Sequence, residues 1–221
     1  MFKYFISLFF FFVSVDGFSQ EQKTVANETE KDSIIYKSPY GIRIGIDISK
    51  PILSSIDSDY SGFEIVGDYR VTKRFFVATE LGYEEKTSNE DYTNSTSKGS
   101  YVRLGFNYNV YENWLDMNNE ILLGYRYGFS LFDQTLNSFT PNVNSTYFPS
   151  NSIDTPITTS NLNAHWSEFL FGFKVETFKN FFVSASVSYK VLMSAKEPEN
   201  FKTLFSPGFN RIFESSTGFG F

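Results

Sequence analysis

YGIRIGIDIS, residues Tyr40 to Ser49, alternates without a break: Ile42, Ile44, Ile46 and Ile48 fall on one side, Gly41, Arg43, Gly45 and Asp47 on the other. A period of two belongs to a β-strand, whereas a helix needs apolar residues three and four apart. The pattern recurs along the chain. In GFEIVGDYRV, Phe63, Ile65, Tyr69 and Val71 alternate with Glu64, Asp68 and Arg70; in FFVATELGYE, Phe75, Val77, Leu81 and Tyr83 alternate with Ala78, Glu80, Gly82 and Glu84. YVRLGFNYNV sets Val102, Leu104, Phe106, Tyr108 and Val110 against Arg103, Gly105 and Asn107; EILLGYRYGFSL sets Ile121 to Leu131 against Glu120, Gly124, Arg126, Gly128 and Ser130. HWSEFLFGFKVE (Phe169, Phe171, Phe173, Val175 against Glu168, Gly172, Lys174, Glu176) and FFVSASVSYKVLM (Phe181 to Met193 against Ser184, Ser186, Ser188, Lys190) repeat it. Each run approaches the 9–11 residues of a tilted spanning strand. With a last strand from about Thr217, the expected fold is all-β: an eight-stranded antiparallel up-and-down transmembrane β-barrel, eight being the smallest even number for such closure.

Alternation alone does not say which face is inside, because a lipocalin-like soluble barrel has the same period with its apolar face inward. Three features favour the apolar face outward. That face is heavily aromatic, with Tyr and Phe near strand ends, as membrane girdles require. The opposite face is rich in Gly, Ser and opposite charges, which suits a narrow filled lumen. The connections also alternate in length. Thr72-Lys73-Arg74 and Phe178-Lys179-Asn180 read as tight turns and 111–119 as intermediate, while 50–62, 85–98, 132–165 and 194–210 read as long loops. Short turns on one rim and long loops on the other are the outer-membrane arrangement.

The amino terminus sets the expected compartment. Lys3 gives a short positive region, an apolar run extends from Phe5 to Val15, and Gly17-Phe18-Ser19 supplies small residues before Gln20. Residues 1–19 therefore read as a signal peptide, 20–38 as a flexible polar periplasmic leader, and 39–221 as the barrel. Of the 221 residues, 27 are Phe and 14 are Tyr, more rings than a soluble core needs. A net charge of −6 gives no electrostatic basis for binding nucleic acid. The absence of cysteine excludes disulfides, thiolate metal sites and a lipid anchor on cysteine, and one histidine excludes an imidazole-rich metal site.

Read from Thr217, the last strand has about half the expected length, so either it starts nearer Arg211 or the natural chain continues, and continuation is the preferred reading. SPYGIRIGIDISKPI, FEIVGDYRVTKRFFVATELGYEEKT, NWLDMNNEILLGYRYGFS and FSPGFNRIF resemble domain-of-unknown-function family 6048, small outer-membrane β-barrel proteins of Bacteroidota. The resemblance covers 38–221. It implies a barrel of the outer membrane that continues past GFGF with a fuller strand, and it brings no activity and no catalytic residue.

Candidate chemistry is sparse. Arg43, Asp47, Glu64, Asp68, Arg70, Glu80, Arg103, Glu120, Arg126, Glu168, Lys174 and Glu176 are expected inside, where mixed charges would pair and fill a narrow bore rather than conduct. His165, near Trp166, is a candidate general base with Asp154 or Glu168 as acid partners and Ser160 or Ser167 as hydroxyls. The plainer reading is a girdle histidine beside a girdle tryptophan. Glu84, Glu85, Glu90 and Asp91 could gather a hard cation, but their spacing is not that of an EF-hand. The loop at 131–161 offers Phe139, Tyr147 and Phe148 as contact material, and its sequon Asn144-Ser145-Thr146 carries little weight in a bacterium.

The sequence thus leads to a barrel with a structural or interaction role, a closed lumen and long extracellular loops, and no enzyme activity. No catalytic, cofactor-binding or metal residue is assigned. Outer-membrane lipid is the expected partner, with a ligand or protein at the long loops. The alternatives are an outer-membrane enzyme acting on lipid or peptide at the outer rim, and a soluble lipocalin-like periplasmic carrier.

Overall fold

The computed structural model describes residues 41–112, 118–141, 151–199, 201–212 and 216–220. The expected signal peptide, the leader, the sequon, Tyr147 and Phe148 lie outside these.

Strand periodicity becomes strands. β1 (Ile42–Ile46) is followed by a helix, α1 (Ser49–Ile56), then by β2 (Tyr60–Arg70), β3 (Phe75–Glu90), β4 (Thr93–Asn109), β5 (Glu120–Phe139), β6 (Ile157–Phe178) and β7 (Phe181–Ala195). Two short strands, β8 (Phe205–Ser206) and β9 (Asn210–Arg211), pair with each other, and β10 (Thr217–Gly220) ends the described chain. The main sheet has eight antiparallel strands in the order β1-β2-β3-β4-β5-β6-β7-β10, an up-and-down meander as expected. No described helix is long and apolar enough to cross a membrane, which says nothing about strands.

Closure by hydrogen bonding is not met. Among the described residues β1 and β10 do not pair, so the sheet is open. The reason lies in where the edge strands sit. β1 pairs with the lower stretch Ile65–Tyr69 of β2, beside the short 71–74 turn, whereas β10 pairs only with Ser188–Val191 of β7. Between β1 and the start of β7 a cavity of about 650 Å³ remains, lined among others by Ile42, Ile44, Phe181 and Val183. The sheet nevertheless curls until its inner faces touch: Arg43 on β1 bonds Glu120 on β5, and Lys174 on β6 bonds Asp68 on β2.

Polarity across the wall is the reverse of a soluble protein's. Ile42, Ile44, Phe63, Ile65, Val77, Leu81, Leu104, Leu123, Phe169, Phe173 and Val187 stand exposed on the outer face, Ile44 at 79 %. Glu64, Glu80, Glu84, Glu120, Arg126, Glu168 and Lys190 are buried inside. Burial of charge alongside exposure of aliphatic side chains is the informative inversion of the usual rule. Outward aromatic pairs link neighbouring strands, as with Phe75–Tyr108 at 4.9 Å and Tyr125–Phe169 at 5.3 Å.

The expected connections change in four places. The tight turns at 72–74 and 178–180 are present; Asn180 takes a left-handed φ of 63°, which asparagine tolerates. The supposed loop 85–98 is instead a continuation of β3 and β4, paired as far as Glu90↔Thr93 around Asp91-Tyr92. β5 and β6 likewise extend into the supposed 132–165 loop, to Phe139 and from Ile157. The 50–62 loop contains α1. The 194–210 loop turns back into the bore, where Phe205, Ser206, Pro207 and Phe209 are buried. There Phe209 packs with Tyr101 and Trp166, and beside them Phe132, Leu162 and Ala164 cluster. Gly208, at φ 78°, takes the left-handed turn that lets this segment re-enter.

Candidate functional site

The interior is a set of ion pairs in two tiers. In the lower tier Arg43 donates to Asp68 at 2.5 Å and makes a forked pair with Glu120 at 2.7 and 3.1 Å, while Lys174 bonds the other oxygen of Asp68. The rings of Phe76 and Phe182 cover the Arg43 guanidinium at 4.6 and 5.1 Å. The middle tier centres on Arg103, which reaches Glu64, Glu80 (2.7 Å) and Glu168 (3.2 Å) from three different strands. Its Nε–H is close to Glu80 without aiming at it, so that contact is an ion pair rather than a good hydrogen bond. Arg126 joins the same Glu80 at 3.1 Å and donates to the Phe106 and Tyr125 carbonyls.

Above these tiers Glu84 ties the inserted segment to the wall. One oxygen meets Lys50 of α1 and accepts from the Tyr60 hydroxyl at 2.9 Å; the other accepts the Gly208 N–H at 2.8 Å. Lys190 donates to the Gly208 carbonyl at 2.7 Å, so both backbone groups of Gly208 are held by charged side chains. In this network five cations (Arg43, Lys50, Arg103, Arg126, Lys174) pair with six carboxylates (Glu64, Asp68, Glu80, Glu84, Glu120, Glu168), and Lys190, held at the Gly208 carbonyl, brings the sixth positive charge. Removing one member would leave a buried charge uncompensated, which costs several kcal/mol. The sequence expectation of paired inner charges is met for Arg43, Glu64, Asp68, Glu80, Arg103, Glu120, Arg126, Glu168 and Lys174. Asp47 instead accepts the Ser49 N–H at the start of α1, Glu176 bonds Asn118 and Asn180 near the short turn, and Arg70 lies over Phe76. Side chains alone do not fill the bore: a cavity of about 520 Å³ lies among Asp68, Arg103, Glu168 and Lys190. The inserted 203–212 segment was not foreseen.

His165 is on the outer face. Its Nδ1 lies 2.8 Å from the Tyr127 hydroxyl, and its ring lies tilted against Phe129, with centroids 4.8 Å apart. Glu168 is inside the wall, and Asp154 bonds Ser152 in an exposed turn. Ser167 shares the face of His165 but stands opposite Tyr127 in the register. The candidate base is thus not joined to its candidate acids. Trp166, expected in a girdle, is instead fully buried in the bore beside Phe209.

The candidate cation loop also disperses. Glu84 is buried inside, and Glu90 pairs with Arg211 at 2.7 Å. Among the described residues no three His, Asp or Glu form a metal-binding group. Outside the wall, a hydrogen bond from Lys86 at 2.5 Å holds the Asp57 carboxyl below the usual carboxylate range.

No curated protein and no solved structure matches the chain. The sequence profile of the domain of unknown function DUF6048 matches residues 1–221, and the chain belongs to that family.

Proposed function

We propose that this chain is an outer-membrane β-barrel protein, exported by its amino-terminal segment, whose role is structural or interactive rather than catalytic. One observation carries the reading: the wall turns its aliphatic and aromatic side chains outward and buries its charges. A lipocalin-like carrier needs the opposite arrangement, with an apolar interior for its ligand.

The dimensions agree with a bilayer. On β5 the outward apolar row runs from Ile121 to Leu131, and ten steps of about 3.4 Å inclined at about 40° give a band about 26 Å tall, close to the roughly 25 Å of bacterial barrels. The row ends at a charged line, since Glu85, Lys98 and Asp133 face one another across β3, β4 and β5. Strand ends beyond that line are polar, and they form the rim available to an extracellular ligand or protein. The bore carries matched charge and a folded-in segment, so it is a scaffold rather than a pore.

The test is electrophoresis of the refolded full chain in detergent micelles with and without boiling. A faster band in the unheated lane alone is expected of a detergent-resistant barrel. A folded species soluble in plain buffer, with no mobility shift, overturns the reading and restores the carrier.

A further inference from the structure

Resting on the membrane reading above, we infer that α1 is an interfacial anchor whose isoleucine stripe, Ile48, Ile52 and Ile56, lies in the lipid at the boundary between acyl chains and headgroups. Ile48 is the helical N-cap of α1 and the three residues are four apart, so they share one face. They are exposed at 63, 52 and 78 %.

The opposite face is pinned inward. Lys50 pairs with the buried Glu84, and the Ser54 hydroxyl accepts the Gly62 N–H of β2 at 3.0 Å. The helix cannot roll to bury its isoleucines without breaking both contacts. Its axial level is fixed by the same bonds: it lies beside Tyr60–Gly62, whose register partners on β3 are Lys86–Glu84. That is the upper edge of the apolar band, next to the Phe63–Tyr83 pair and the charged line at Glu85. Ile48 and Ile52 also border the cavity of about 520 Å³, whereas Ile56, the most exposed of the three, does not. A helix with one apolar face, placed at the level where hydrocarbon gives way to headgroups, has the geometry of a membrane-surface element. A few aliphatic side chains fall well short of the roughly 800 Å² per partner of a stable protein interface, which argues for lipid over a second copy.

The chain has no cysteine, so single thiols can be placed at will. Full-length Ile52→Cys, Ile56→Cys, Ser58→Cys and Leu123→Cys variants, each carrying an environment-sensitive fluorophore, are reconstituted into phosphatidylcholine vesicles. The quencher is either a spin label at shallow or deep acyl positions or aqueous iodide. Probes at 52 and 56 are expected to be quenched at least about twofold more by shallow lipid label than by iodide, as for an interfacial helix. The probe at 123 should answer to the deep label and the probe at 58 to iodide. If 123 answers to lipid while 52 and 56 answer to iodide like 58, the anchor is wrong and the barrel reading stands. If 123 also answers to iodide, both fall. Self-quenching at 52 and 56 that grows with the protein-to-lipid ratio would assign the stripe to a second copy instead.

Discussion

Trp166 occupies the space a side chain at Gly128 would need: a Cβ there would collide with the indole ring. The two residues face each other across β5 and β6, and the ring fills the bore beneath Phe209. Gly128→Ala must therefore displace a fully buried tryptophan. The expected cost is about 1–3 kcal/mol, and more for Gly128→Val. Urea unfolding in micelles measures it; a midpoint equal to that of the parent would mean that Trp166 does not pack there.

Arg103 bridges three carboxylates at once, and two of them, Glu64 and Glu168, have almost no exposure. Arg103→Met leaves them facing one another and is expected to destabilise by about 3–5 kcal/mol. Adding Glu64→Gln and Glu168→Gln to the same chain should recover at least half of that loss, because the buried charges go with the cation. If the single and triple variants unfold alike, the penalty comes from lost packing and not from charge.

Such inner positions were readable from the alternation, since side chains of a strand point by turns to the exposed apolar face and to the buried, charged bore. Where only one of those environments exists, the signal fades. Above the charged line the outward apolar row stops, so Ser88, Asn89, Asn94 and Ser95 carry no period of two and read as a loop although they are paired strand. α1 was hidden by Ile48, which continues the alternation of β1; the spacing of Ile48, Ile52 and Ile56 was the missed sign of a helix. Trp166 sits on an inward position that the pattern reserves for polar residues, because the bore at that height is lined by the returning Phe209. The Pro207-Gly208 turn between Phe205 and Phe209 was the available hint of that return.

His165 makes a half-exposed contact with Tyr127 and stands on the opposite side of the wall from Glu168. His165→Ala is expected to cost no more than the roughly 0.5–1.5 kcal/mol of one hydrogen bond. Assays of the refolded protein on phospholipid, lipopolysaccharide and peptide substrates should give the same background for variant and parent. A turnover present in the parent and abolished in the variant would reinstate the rim enzyme.

The segment folded into the bore is fastened at Gly208. Glu84 accepts the Gly208 N–H, and Lys190 holds the Gly208 carbonyl, so this one residue is gripped from two strands. Glu84→Ala removes a hydrogen bond to a charged group, worth about 1.5–3 kcal/mol, and leaves Lys50 without its carboxylate. Phe205 and Phe209 remain apolar and still favour the interior, so the segment is expected to open more often rather than leave. In hydrogen-exchange mass spectrometry of the folded protein in micelles, peptides covering 203–212 should exchange about tenfold faster or more, because each 1.4 kcal/mol is a factor of ten in an opening equilibrium. Peptides from the middle of β4 and β5 should be unchanged, since their ladders do not depend on Glu84. Acceleration spread equally over those strands would make Glu84 a general support of the wall. Unchanged exchange at 203–212 would mean that the aromatic packing around Phe209 holds the segment without help from the charges.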